Sequence, residues 1–295
     1  MAGEFEFLDW VRKQQRPSQL VPIPAGDDMA VVNWPAGEML LVGVDQVLDG
    51  VHFDSAVHGP RDIGRKVMNR NLSDCAAMAC LPAAAVATVA LKHGSPLSYS
   101  KELYLGLRDA ADVYDCPIIG GDTAAWDERL LVTVTILGRT AGLRPILRKG
   151  AQPGDGIYVT GPLGGSILGR HMTFAPRVNE GRKLAESGVV TAMIDISDGL
   201  SRDLRPICQQ GGVGAIIHAA SVPIHADAIQ LSQQTHWDPL DHALHDGEDH
   251  ELLFTSGTPP PFGIRIGSIT QDPALLLQVN GQTLPLAPKG WEHRL

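Results

Sequence analysis

Residues 192–200 read Ala192-Met193-Ile194-Asp195-Ile196-Ser197-Asp198-Gly199-Leu200. The apolar run Ala192–Ile196 predicts a buried strand. Leu200, Leu204 and Ile207, at helical spacing, predict that a helix follows at once. Asp198 stands where an N-cap belongs, and Gly211-Gly212 ends the helix. Pro206 inside it predicts a kink or an early stop. A short apolar run meeting aspartates at its end is the unit that recurs along this chain. Its other instances are Gly26-Asp27-Asp28, Asp45, Asn71-Leu72-Ser73-Asp74 and Gly120-Gly121-Asp122.

Outward from that unit, strands and helices alternate. Glu4–Val11 predicts a short helix, and Met29–Val32 and Met39–Val44 two strands around a Pro-Ala-Gly turn. Ile63, Val67, Met68 and Leu72 predict a helix from Asp62 to about Ala79, and Leu97–Tyr114 a second. Ala83–Leu91 and Leu130–Gly138 predict strands, with Ile118-Ile119 leading into Gly120–Thr123. Further strands are expected at Gly156–Thr160, Val213–His218 and Glu251–Thr255. The alternation in both halves gives an α/β (α+β) class. Thr140–Gly154, rich in Gly and Pro, is the natural boundary, giving domains 1–140 and 141–295.

Composition bounds the function. The chain has 295 residues, 44% hydrophobic and 19% charged, with no apolar run long enough to span a membrane. Its start, MAGEFEFLDW, lacks the basic and apolar regions of a secretory signal. A net charge of -9 argues against nucleic acid as a partner. The four cysteines form no CxxC pair and read as reduced thiols in a cytoplasmic protein.

Each acidic motif has an ordinary reading beside a functional one. Asp27-Asp28 is a solvated turn, or a carboxylate pair that a cation must neutralise. Asn71 and Asp74, three apart on a helix among Ala76, Ala77 and Ala79, form a polar stripe or hold an ion near a close-packed face. Gly120–Thr123 is a tight turn, or a place where backbone comes close to a ligand beside Asp122. Asp198 is an N-cap, and a helix N-terminus also attracts phosphate. Gly161–Gly165 matches no specific nucleotide fingerprint. Oxygen-only ligands suit Mg²⁺, which usually carries phosphates, so the set points to an enzyme handling a nucleoside triphosphate without a Walker loop. HExxH and GxSxG are absent.

In order, these motifs resemble the thiamine-monophosphate kinases of the aminoimidazole-ribotide-synthetase-like superfamily. The matches are Gly3-Glu4-Phe5, Gly26-Asp27-Asp28, Asp45, Gly50–Phe53, Asn71–Asp74 with Ala76-Ala77-Met78, and Gly120–Thr123. Then follow Arg148, Gly150-Ala151, Pro153-Gly154-Asp155, Ile157–Gly161, Asp195–Leu200, Gly247–Phe254 and Lys289-Gly290-Trp291. The ordered set covers nearly the whole chain. Departures are Gly43 and Val44 where the family has hydroxyl residues, Pro24-Ala25 before Gly26, His250 in place of a tyrosine, and a shortened segment before Arg170-His171.

The resemblance implies a two-domain subunit: an ATP- and Mg²⁺-binding dimerisation domain, pairing strands across a two-fold, and a C-terminal α/β domain. It implies a homodimer that transfers the γ-phosphoryl group of ATP to thiamine phosphate, with no catalytic side chain beyond metal-driven positioning. Carried over by position, Asp28, Asp45, Asp74, Asp122, Asp195 and Asp198 match Mg²⁺ ligands. Tyr104, Gly121, Asp122, Arg148 and Ser197 match ATP contacts. His52, Glu248 and Trp291 match substrate contacts, while Asp27 is held back as a loop-shaping residue. The competing expectations are another ATP-using reaction of the superfamily and an inactive nucleotide-binding regulator. Against the first, the chain has no cysteine before Cys75 and none near its end.

Overall fold

The computed structural model describes residues 4–15, 18–24 and 29–292. Asp27 and Asp28 lie outside them. The chain divides into two units, residues 1–75 with 80–142, and residues 76–79 with 143–295.

The first unit contains α1 (Glu4–Lys13), β1 (Leu40–Leu48), α2 (Pro60–Ala77), β2 (Leu81–Lys92), α3 (Leu97–Asp112), β3 (Ile118–Trp126) and β4 (Leu131–Arg139). Its strands form one sheet in the order β1-β4-β2-β3, with β2 and β3 parallel and the other pairs antiparallel. On β4, Val132, Val134 and Ile136 are buried at every second position, so one face of the sheet meets the core. On β1 the other face carries Leu40, Val42 and Val44, which remain 51%, 63% and 61% exposed.

Two expectations fail here. Met29–Val32 makes only a single bridge, Ile23 to Val31, rather than a strand. Its apolar residues Ala30 and Val32 pack instead around Val21, Ala84 and Ile119. Gly120–Thr123 is neither a turn nor the end of a strand, because β3 runs straight through it along β2. Glycine is what permits this close run. A β-carbon on Gly121 would collide with the Ala87 carbonyl oxygen.

The second unit contains β5 (Gly156–Val159), α4 (Arg170–Thr173), α5 (Val178–Ser187), β6 (Val190–Asp195), α6 (Leu200–Gly211) and β7 (Gly214–His218). There follow α7 (Ala226–Thr235), α8 (Pro239–His245), β8 (Leu252–Ser256), β9 (Ile264–Thr270), β10 (Leu275–Val279) and β11 (Gln282–Pro285). Its seven-stranded sheet has the order β11-β10-β7-β9-β5-β8-β6. Ile157, Val159, Ile194, Leu204, Ile207, Ile217 and Leu253 belong to its core. The helix after β6 passes through Pro206 without stopping and ends where Gly212 takes a left-handed backbone. Among the described residues no helix is long and apolar enough to cross a membrane.

Packing in the first unit depends on two reciprocal glycines. A β-carbon on Gly64 of α2 would strike the Leu103 carbonyl of α3, and one on Gly106 of α3 would strike the Arg61 carbonyl of α2. In an open helix, Gly→Ala gains about 1 kcal/mol. Here the obstacle is main chain, and overpacking costs about 1–3 kcal/mol. Gly106→Ala should therefore lower the urea midpoint of unfolding. An unchanged or raised midpoint would show that the two helices are not held in contact.

Candidate functional site

Apart from His52, the described sequence-predicted residues of the first unit fall into two groups. Asp45 lies mid-strand on β1, on the helix-facing side, where Arg70 of α2 donates from Nε to its Oδ2 at 3.3 Å. Asp74, one turn further along α2, comes over the same strand. A β-carbon on Gly43 would stand 3.7 Å from the Asp74 Oδ2. Val44 points to the opposite, exposed face. Of the two positions that lack hydroxyls, Gly43 is thus the one beside Asp74, among the described residues.

The second group surrounds a cavity of about 250 Å³. Tyr104, Gly121 and Asp122 line it together with Phe7, Leu103 and Val132. Burial raises the Tyr104 phenol above its ordinary range. Gln15 donates to its oxygen at 3.4 Å, and Trp10 meets the ring edge-on. Asp122 is exposed at this cavity. β1 and β3 are opposite edges of the sheet, with two strands between them. At about 4.8 Å per strand, Asp45 and Asp122 stand roughly 14 Å apart at the backbone.

His52 follows β1 in a turn. Its Nδ1 accepts from the Leu48 N–H at 3.1 Å. Its carbonyl accepts from the buried Lys66 ammonium at 2.5 Å. Lys66 thereby ties α2 to the turn that carries this histidine.

In the second unit the structure brings together residues nearly 100 positions apart. The Glu248 N–H donates to the Ser197 carbonyl at 2.8 Å, and the His250 N–H to the Ile196 carbonyl at 2.8 Å. The Ile196 N–H donates in turn to the Glu251 carbonyl at 2.8 Å. The Trp291 N–H reaches the Asp198 carbonyl at 2.9 Å, and Gly290 crosses so near that carbonyl that a β-carbon would collide with it. Ser197, Asp198, Glu248 and Trp291 thus sit around one point, with the Trp291 ring about half exposed. Asp195 ends β6 and is buried. Arg148 is exposed in the segment beside that strand, where the Leu147 carbonyl accepts from Met193 at 3.0 Å.

Asp198 is not the helix cap. The N-cap is Gly199, and no side chain caps the first turn from that position. Instead Asp203 reaches back from inside α6, and its Oδ2 accepts the N–H groups of Asp198 at 2.9 Å and Gly199 at 3.1 Å. The capping expected of Asp198 thus falls to Asp203. Asp203 went unnoticed in the sequence, although an acidic residue just inside a helix is the signal for such a reach-back. The Gly161–Gly165 turn is a structural element. Its N–H groups at Gly164 and Gly165 go to Asp249 at 2.9 Å and Asp246 at 2.8 Å. Burial pushes the Asp249 carboxyl up to about 7, against the pull of Arg170 and the Gly164 N–H.

Among the described residues no three His, Cys, Asp or Glu side chains meet closely enough to cage a metal ion. The donors are nevertheless hard carboxylate oxygens, several on edges or loops. That fits Mg²⁺, which is commonly held by one or two carboxylates and completed by substrate phosphates.

The AIR synthase related protein, N-terminal domain, matches residues 26–140, and the C-terminal domain of the same family matches residues 165–257. A thiamine-monophosphate kinase from Rhodopirellula baltica is 41% identical over 258 residues, covering 85% of this chain and 81% of that protein. The structure of thiamine-monophosphate kinase from Stenotrophomonas maltophilia is 29% identical, with a TM-score of 0.80 over 95% of this chain and 97% of that one. The structure of AaThiL complexed with AMPPCP and TMP is 28% identical, with a TM-score of 0.79 over 99% and 97%.

Burial, and then the charge of Asp195, push the Asp203 carboxyl from 3.8 up to about 8. The folded chain therefore binds more protons than the unfolded chain between those values. The stability held by this proton is full below about pH 4 and lost as pH rises through about 8. With chelator present, wild type should lose melting temperature between pH 5.5 and 8.5. Asp203→Asn, which keeps an acceptor and cannot ionise, should lose less. Equal losses would place the charge elsewhere.

Proposed function

The chain belongs to the AIR synthase related family, among its thiamine-monophosphate kinases, and from that premise we propose that it transfers the γ-phosphoryl group of ATP to thiamine phosphate by one direct in-line step. The observation that carries this reading is the convergence of Ser197, Asp198, Glu248 and Trp291 in the second unit. Four positions matched to ATP, metal and substrate are drawn together there by main-chain bonds.

The chemistry needs no base from the protein. The acceptor is a phosphate oxygen whose second pKa is about 6, so it is largely ionised at neutral pH. The difficulty is bringing two anions into line. Asp45, Asp74, Asp122, Asp195 and Asp198 would hold Mg²⁺, as would Asp28 outside the described residues. When bound, Mg²⁺ neutralises and aligns phosphate oxygens. Tyr104 and Gly121 shape the cavity for the nucleotide, and Arg148 and Ser197 offer donors to its phosphates. Glu248 and His52 would orient thiamine phosphate, and the exposed indole of Trp291 would lie against its cationic ring. Arg70 neutralises Asp45 until a cation arrives.

We read the working unit as a homodimer. The exposed row Leu40, Val42 and Val44 on edge strand β1 is an apolar face of the kind that a second copy covers. Four buried free thiols suit the reducing cytoplasm expected for the enzyme.

With ATP and Mg²⁺, thiamine phosphate should yield thiamine diphosphate and ADP, and free thiamine should be a poor acceptor. Asp74→Asn should fall to background at an unchanged melting temperature, because the amide keeps the shape and loses the charge. Release of AMP with free thiamine, or near-normal turnover by Asp74→Asn at low Mg²⁺, would contradict the reading.

A further inference from the structure

The imidazole of His250 is 2% exposed, and among the described residues neither ring nitrogen has a hydrogen-bond partner. An unsatisfied buried ring of this kind calls for a reason. It is also held deliberately. Phe174 stacks on it with centroids 3.8 Å apart and planes 15° off parallel. Its main chain is left-handed, with φ 51°, as is that of Glu248 two residues earlier. Such strain in non-glycine residues persists only where the surroundings impose it. Here the His250 N–H is fixed to the Ile196 carbonyl.

That arrangement sets Nδ1 3.5 Å from Oδ2 of Asp195. The distance is too long for an ordinary N–H···O hydrogen bond. It is close to the spacing of two donors on one ion. With donor–metal distances of about 2.1 Å, ligands stand roughly 3.0 Å apart in octahedral and 3.4 Å apart in tetrahedral geometry. We propose that His250 is a second ligand for the divalent cation at Asp195, and that its nitrogen turns this position from Mg²⁺ toward first-row transition ions. The inference rests on the reading that Asp195 holds a cation. Carboxylate oxygens suit Mg²⁺ and Mn²⁺ alike, whereas imidazole favours the transition ions. Relatives with a tyrosine at this place lack that donor.

Mn²⁺ is the probe, added to the full-length protein freed of metal. Electron spin echo spectroscopy reads a directly bound ¹⁴N, and competition titration gives the preference for Mn²⁺ over Mg²⁺. Wild type should show ¹⁴N modulation. His250→Tyr and Asp195→Asn should both lose it, and His250→Tyr should lower the Mn²⁺ preference by ~10-fold or more. Melting curves check each variant, and His250→Phe takes its place if the tyrosine is not tolerated. Bound Mn²⁺ without ¹⁴N modulation, or modulation that survives in the His250 variants, overturns the assignment and leaves Asp195 as a ligand. Mn²⁺ binding wholly unchanged in Asp195→Asn overturns the cation reading of Asp195 itself, and this inference with it.

Discussion

Three main-chain hydrogen bonds between the loop after β6 and the loop before β8 hold the second unit's site in place. They join Ser197 to Glu248, and Ile196 to His250 and Glu251, so that two acidic segments distant in sequence lie side by side. Both segments are acidic, and the bonds that join them here are main-chain ones. Asp203 closes the first loop from below by taking two of its N–H groups. Gly290 closes it from above, because only glycine can cross the Asp198 carbonyl so closely.

The first unit solves a different problem. Its carboxylates are spread over a sheet rather than gathered, with Asp45 and Asp74 toward one edge and Asp122 at the other. Under the proposed function a triphosphate, a long anion, would bring several ions, each held weakly by protein and completed by phosphate, and separated carboxylates would suit them. Spreading the charges also lowers their mutual repulsion when no ion is present, which Arg70 lowers further at Asp45.

The alternation of elements was legible because buried strands and amphipathic helices carry their periods in the sequence. α2, α3, β4 and β6 begin and end within a few residues of their expected limits. What misled was local chemistry overruled by pairing. Gly120-Gly121 suggests a turn, yet β2 offers a partner edge, and the missing side chains let the strand continue. Met29–Val32 suggests a strand, yet it has one bridge and a core to fill instead. Of the aspartates expected at element ends, Asp195 does end its strand, whereas Asp45 and Asp122 lie within β1 and β3 and Asp74 within α2, because strand pairing and the helix run on past them. Asp203 carried only the general signal of an acidic residue just inside a helix, and His250 carried none, because its meaning lies in what it touches, a carboxylate and a phenyl ring.

The central claim is a single direct transfer between two anions, with the protein supplying position and charge and no covalent intermediate. Stereochemistry at the transferred phosphorus tests it most directly. ATP made chiral at the γ-phosphorus with oxygen isotopes is reacted with thiamine phosphate, and the configuration of the product is determined. One in-line displacement predicts inversion. Retention would mean two displacements through a phosphorylated side chain, and would contradict the account.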